Sequence, residues 1–233
     1  MKETILSIIT VNFNNNRGLI NTLESVKQQS FTSYEHIIID ANSSDGSKET
    51  IIQYAKETTH LTYWISEPDN GIYYGMNKGI EQAHGEYLYF LNSGDCLKED
   101  VLSQIQFDGT QYIYCDITVI LPDNYKLQVQ YPDHINTALL LIRDTFCHQA
   151  CFIHHSLCNH TIFRHANFIG CLSADKIKMP VRKYFCFNIP VYRNMAEEPS
   201  CRSPYHEEYI QTSVSGNSEG LCRSTYSFLS ERR

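Results

Sequence analysis

The chain lacks any apolar run long enough to cross a bilayer. A membrane helix needs about 20 such residues, and the best stretches here, Leu6 to Val11 and Ala138 to Ile142, fall far short. It also lacks a basic surplus: 19 lysines and arginines stand against 26 acids, a formal charge of −7. No positive stripe is left to follow a phosphate backbone, so nucleic acid is not an expected partner. The start, Met1-Lys2-Glu3-Thr4-Ile5, is too short in β-type residues and wrongly flanked for a secretory leader, and the expected location is cytoplasmic. Nine cysteines are present, but no Cys-x-x-Cys pair and no framework spacing, which argues against a disulfide scaffold. Cys147, Cys151, Cys158, His160 and His165 crowd together, yet match no standard zinc finger.

What is present is ordinary globular material: 233 residues, 42% of them hydrophobic, enough for a large domain or a catalytic domain with an appendage. The first half alternates strand-type and helix-type patterns. Leu6 to Val11 reads as a strand, and Leu19, Ile20, Leu23 and Val26 as one stripe of a helix. His36 to Asp40 reads as a buried strand followed by a helix marked by Ile51, Ile52 and Ala55, with Asp45 or Ser44 as its N-cap. Thr62 to Ile65 is a short strand; Ile72, Met76, Ile80 and Ala83 form a third stripe with Gly85 as its C-terminal cap; Glu86 to Leu91 is the next strand. Beyond it, Tyr112 to Cys115, Lys126 to Tyr131 and Tyr184 to Val191 have strand character, and Thr137 to Ile142 that of a short helix or strand. The expected fold is α/β, with a mostly parallel central sheet flanked by helices.

Right-handed crossovers place the ends of all parallel strands on one edge, so the loops after Val11, Ile39 and Leu91 should share a rim. Asp40 ends a buried strand and precedes the small residues Ser43, Ser44 and Asp45, a loop that a ring and its hydroxyls could approach. Glu67 to Gly79 packs acids, amides, a lysine and three glycines around a helix start, where anions are favoured. Asn92 and Asp95, in Leu91-Asn92-Ser93-Gly94-Asp95, offer hard oxygens suited to Mg²⁺ or Mn²⁺ rather than zinc. A competing reading makes that segment a turn, with Asp95 capping a helix that begins near Lys98.

Taken together, Ser7 to Asn14, Ile37 to Asp40 with Ser43 to Gly46, Trp64 to Tyr73 with Met76 to Ile80, and Gly85 to Tyr87 running on to Asp95 resemble family 2 of the glycosyltransferases. The likeness is strong over about the first 100 residues and extends weakly through Phe146-Cys147-His148-Gln149. It implies a GT-A fold with a less regular acceptor part, a nucleotide-diphosphate-sugar donor, a divalent metal and inversion at the anomeric carbon. Carried over by position, Thr10, Asn12 and Asp40 would hold base and ribose. Asp69, Asn77 and Lys78 would line the nucleotide and diphosphate, and Asp95, with Asn92, the metal. Many members carry a carboxylate where this chain has Asn92 or Gly94. The acceptor would be a saccharide or a lipid-linked sugar in cell-surface polysaccharide synthesis, the latter implying peripheral contact with the inner membrane face.

An inverting transfer needs a base for the acceptor hydroxyl. In the family this lies in the acceptor half, in a stretch that Ser173-Ala174-Asp175 resembles, although Lys176 to Pro180 lacks the aromatic residues that should follow. His148 is a second candidate, since imidazole titrates in the right range. The chain accordingly divides into a nucleotide-sugar half at 1–117, an acceptor half at 118–193 and a poorly patterned tail at 194–233, read as disordered or loosely attached. A change of reading frame after Gln149 would account for the lost patterning and for seven of the nine cysteines following Phe146. Two other functions compete. A nucleotidyltransferase would call for a glycine-rich basic loop after the first strand, which Asn12 to Asn16 does not supply; a truncated or inactive homologue would bind nucleotide sugar without transfer.

Overall fold

The computed structural model describes residues 4–120, 125–131 and 148–158, together with the backbone of Val181–Tyr192. Three strand–helix units open the chain: β1 (Leu6–Asn12), α1 (Asn16–Lys27), β2 (Tyr34–Asp40), α2 (Ser47–Glu57), β3 (Leu61–Ser66) and α3 (Ile72–Glu81), leading into β4 (Tyr87–Phe90). These four strands run parallel in the order β3-β2-β1-β4. β1, β2 and β4 are buried along their whole length, as apolar strands covered on both faces must be.

The sheet then changes character. β7 (Cys151–His154) lies antiparallel beside β4, and β5 (Tyr112–Ile120) is antiparallel to it through Tyr112 to Tyr114. The far half of β5 pairs with β6 (Lys126–Val129), while β8 (Val181–Tyr192) runs parallel along its other side. The result is the expected mostly parallel mixed sheet with flanking helices. β7 was not foreseen, being four residues between two short 3₁₀ turns.

Several local expectations are corrected. α2 buries Ser47, Ile51 and Tyr54, leaving Ile52 and Ala55 outside, because the spacing of 47, 51 and 54 keeps one helix face toward the sheet. Its N-cap position is Gly46, at φ +92°, while Asp45 one residue earlier takes the Ser47 N–H at 3.2 Å. α3 ends at Glu81 with Gln82 as its cap, so Gly85 serves close packing instead, since a Cβ there would stand 2.6 Å from the Ser7 backbone nitrogen. Among the described residues no helix begins near Lys98; the next helical turn is the 3₁₀ segment Leu102–Gln104. Asp95 is therefore no helix cap. Thr137 to Ile142 and the tail lie outside the described residues.

Candidate functional site

The loops after β1, β2 and β4 meet at one edge of the sheet, and short polar side chains tie them together. Register sets Asn12 opposite Asp40 and Asp40 opposite Ser66. Asp40 Oδ1 accepts from Asn12 Nδ2 (2.7 Å) and Ser43 Oγ (2.6 Å), and its Oδ2 from the Ser43 N–H (3.0 Å) and Ser66 Oγ (2.6 Å). Burial pushes this carboxyl up, but the donors of Ser43, Ser66 and Asn12 outweigh it and hold the group below the usual carboxylate range. Four donors fill the four lone-pair sites of a carboxylate. Asp40 therefore organises the rim from within.

Its main product is the orientation of Asn12. Because a carboxylate only accepts, the amide must turn its nitrogen toward Asp40. Asn12 Oδ1 then faces away, buried and without a hydrogen-bond partner, on a residue only 1% exposed. Asn14 and Ser43 close the loop, the Asn14 N–H reaching Ser43 Oγ at 2.8 Å and the Ser44 N–H reaching Asn14 Oδ1 at 2.9 Å. Asp45 accepts the first N–H of α1, from Asn16, as well as that of Ser47 in α2. A single carboxylate thus joins two helix N-termini, where negative charge is favoured.

The next wall comes from the α3 entry. Asp69 Oδ1 takes the Gly71 N–H at 2.8 Å, while Oδ2 is buried with no hydrogen bond. A Cβ on Gly75 would meet Val11 Cγ1 at 2.7 Å and Asp69 Oδ2 at 3.3 Å, so glycine lets α3 lie against the end of β1 with the carboxylate at its start. Lys78 is ion-paired to Glu67 at 2.7 Å across a partly exposed surface. Asn77 sits beside it on α3, half-buried.

Thr22 holds the loop after β4. Its Oγ accepts the Gly94 N–H (3.0 Å) and donates to the Asp95 carbonyl (2.7 Å), while Asn15 caps α1 with Oδ1 and gives Nδ2 to the Ser93 carbonyl (3.0 Å). Neither residue was foreseen as part of the site. Thr22 carried a signal, a polar residue on the buried stripe between Leu19 and Val26; Asn15 was one asparagine among several. Asn92 Nδ2 donates to His148 Nε2 at 3.2 Å, leaving Asn92 Oδ1 buried and unbonded, and Asp95 is 4% exposed.

Asn92 and Asp95 bring an amide and a carboxylate, hard oxygens of the kind that hold Mg²⁺ or Mn²⁺. The orphaned Asn92 oxygen lacks the cation or donor that a buried acceptor requires. Among the described residues no group of three or more His, Cys, Asp or Glu side chains could hold a metal ion. Two side chains, Asn92 and Asp95, would leave most of an ion's coordination to other donors.

Two expected residues stand apart. Thr10 lies two positions, about 6.6 Å, below the end of β1, fully buried with its hydroxyl 2.9 Å from His36 Nε2. It supports the core rather than the rim. His148 is desolvated, which lowers its pKa to about 4, far from the neutral range that suits a general base. Asp175 lies outside the described residues, as do Cys147, His160 and His165. Of the cysteines in that region, Cys151 and Cys158 are buried and in no disulfide.

The mostly parallel sheet, with helices on its faces and polar loops gathered at the edge where α/β folds receive ligands, defines an α/β protein with a candidate site at that edge. The sequence pattern of glycosyl transferase family 2 matches residues 7–161, and the chain belongs to that family. It is 40% identical over 101 residues to an uncharacterized glycosyltransferase of Mycobacterium tuberculosis, covering 42% of this chain and 37% of that one. It is 37% identical over 108 residues to TuaG of Bacillus subtilis, a glycosyltransferase named for teichuronic acid biosynthesis, covering 45% and 42%. A PGL/p-HBAD biosynthesis glycosyltransferase of Mycobacterium bovis is 24% identical over 202 residues, 84% of this chain and 73% of that one. The match to the first two spans less than half their length. In fold the chain is similar to S. aureus TarS 1-349, crystallised in complex with UDP-GlcNAc, with a TM-score of 0.67 at 13% identity, covering 85% and 61%. The GT-A architecture is thereby identified. Among the described residues no helix is long and apolar enough to cross a membrane.

Proposed function

We propose that this chain transfers a sugar from a nucleoside-diphosphate donor, with inversion, to a saccharide or lipid-linked acceptor in cell-surface polysaccharide synthesis at the inner membrane face. One observation carries the reading: of the six buried side-chain atoms without a hydrogen bond among the described residues, three, Asn12 Oδ1, Asp69 Oδ2 and Asn92 Oδ1, belong to residues at or just beyond the C-terminal ends of the parallel strands β1, β3 and β4. Buried acceptors are almost always satisfied, so three open ones on one strand edge support a ligand rich in donors there. Asn12 Oδ1 suits the imide N–H of uracil or guanine or a ribose hydroxyl, with Asp40 as its anchor. Asp69 Oδ2 suits a hydroxyl of ribose or sugar. Asn77 and Lys78 lie along the diphosphate region, Lys78 held in place by Glu67.

Asn92 and Asp95 would hold Mg²⁺ or Mn²⁺, which when bound neutralises charge on the departing diphosphate. The acceptor hydroxyl must lose its proton as it attacks; Asp175 is our first candidate to take it, from the stretch that resembles the family's, and His148, already engaged by Asn92, is the second. The names of the relatives, in teichuronic acid and PGL/p-HBAD biosynthesis, support the surface-polymer assignment.

Calorimetry with UDP- and GDP-sugars, with and without Mn²⁺, followed by a donor hydrolysis assay, tests this. Metal-dependent binding with sugar release is expected. Binding without turnover, acceptors supplied, would favour an inactive homologue; no metal-dependent binding would contradict both.

A further inference from the structure

We propose that His148 is a positioning residue for the diphosphate–metal site, fixing which end of the Asn92 amide faces the ligand. The inference rests on the nucleotide-sugar reading above. Asn92 follows the end of β4, and His148 opens the 3₁₀ turn His148–Ala150 that leads into β7, the antiparallel neighbour of β4. The turn is anchored to that strand, because Tyr89 donates its hydroxyl to the Gln149 carbonyl at 3.0 Å. From this anchored place, His148 Nε2 stands 3.2 Å from Asn92 Nδ2 across 56 residues of sequence, and because an amide nitrogen only donates, the imidazole accepts there as the tautomer with its proton on Nδ1.

The chemistry gives the contact its meaning. A carboxylate presents an acceptor whichever way it turns, but an amide has one accepting and one donating end. If the NH₂ of Asn92 faced the site it would repel a cation, whereas the oxygen can ligate one. An imidazole nitrogen that accepts from Nδ2 selects the second state and leaves Oδ1 open, as observed. Asn92 therefore needs an orienting partner that an aspartate at the same place would not. The turn that leads into β7 supplies it, so the donor site is completed only when that turn is seated on β4.

The test reads Mn²⁺ binding directly, by the loss of the free-ion electron paramagnetic resonance signal, with UDP or GDP present, whichever the unaltered chain binds more tightly. His148→Leu is expected to weaken Mn²⁺ by about ten-fold or more, the usual consequence of removing a residue that orients a ligand. His148→Gln keeps an accepting oxygen and should recover most of that loss. In an Asn92→Asp background, His148→Leu should change Mn²⁺ affinity by less than about two-fold, since the need for orientation is gone. Thermal unfolding of each variant separates a lost contact from a lost fold. Equal loss with Asn92 intact and in the Asn92→Asp background, or no loss in either, would overturn the proposal. If the unaltered chain binds no Mn²⁺ with either nucleotide, the reading of the site falls and this inference with it.

Discussion

Asn12 and Asp40 divide between them a role that the sequence alone would assign to the carboxylate. Asp40 has its four acceptor positions filled by Asn12, Ser43 and Ser66, so it acts through Asn12. Two substitutions should therefore separate. Asn12→Ala removes the open acceptor and should weaken nucleotide binding by about ten-fold, roughly 1.4 kcal/mol, with the larger part of its effect on the ligand, as titration calorimetry would read. Asp40→Asn replaces an acceptor by a donor that faces other donors, so a buried polar group is left unsatisfied at about 1–3 kcal/mol. That should lower the unfolding midpoint by several degrees. A nucleotide affinity unmoved by Asn12→Ala would show that its oxygen is not read by the ligand. The carboxylate at the strand end was legible in the sequence; its saturation was not, because two of its four bonds come from Asn12 and Ser66, 28 and 26 residues away.

At the level of elements, α3 sets the depth of the rim. Gly75 and Gly79 share one helix face, and a Cβ at Gly79 would stand 2.3 Å from Ile9 Cγ2, a side chain with no exposure and little room to yield. Gly79→Ala should destabilise by about 1–3 kcal/mol, seen as a lower urea midpoint, and should weaken nucleotide binding as Asp69 is carried outward. Gly85→Ala meets backbone atoms of Leu6 and Ser7 at 2.8 Å or less and should cost more, since backbone cannot turn aside. If Gly79→Ala left both stability and binding unchanged, the close seat of α3 would have no consequence for the site. The helices and parallel strands were readable because their apolar periods are long and regular. β7 was not, since four residues carry no period, and its identity depends on pairing with β4 and β5. The pairing of Asn15 and Thr22 with the loop after β4 was hidden for the same reason: it joins residues 78 and 73 positions apart.

For the molecule as a whole, a histidine in the core contributes to acid sensitivity. His36 is fully buried between Thr10 and the Tyr54 hydroxyl, and burial lowers its pKa to about 3 from about 6.5. The unfolded chain takes up a proton below about 6.5 that the folded chain refuses. Stability therefore falls as pH drops from about 6.5 toward 3, by up to about 1.4 kcal/mol per pH unit. His148, lowered to about 4, adds to the slope over the upper part of that window. Glu35 and Asp40, both held below their usual range, contribute losses at lower pH. Urea midpoints at pH 7.5, 6.5 and 5.5 should decline across the last interval, and His36→Gln should flatten that decline. An equally steep decline in His36→Gln would place the acid sensitivity elsewhere.

On the proposed function, the three open oxygens receive a nucleoside diphosphate and its metal. A crystal structure of the chain with Mn²⁺ and UDP or GDP tests it most directly. A base N–H or ribose hydroxyl is expected within hydrogen-bond distance of Asn12 Oδ1, a ligand hydroxyl on Asp69 Oδ2, and the metal on Asn92 Oδ1 and Asp95. A nucleotide seated elsewhere, for instance between α1 and α2 against Tyr54, with those oxygens still unpaired, would contradict it.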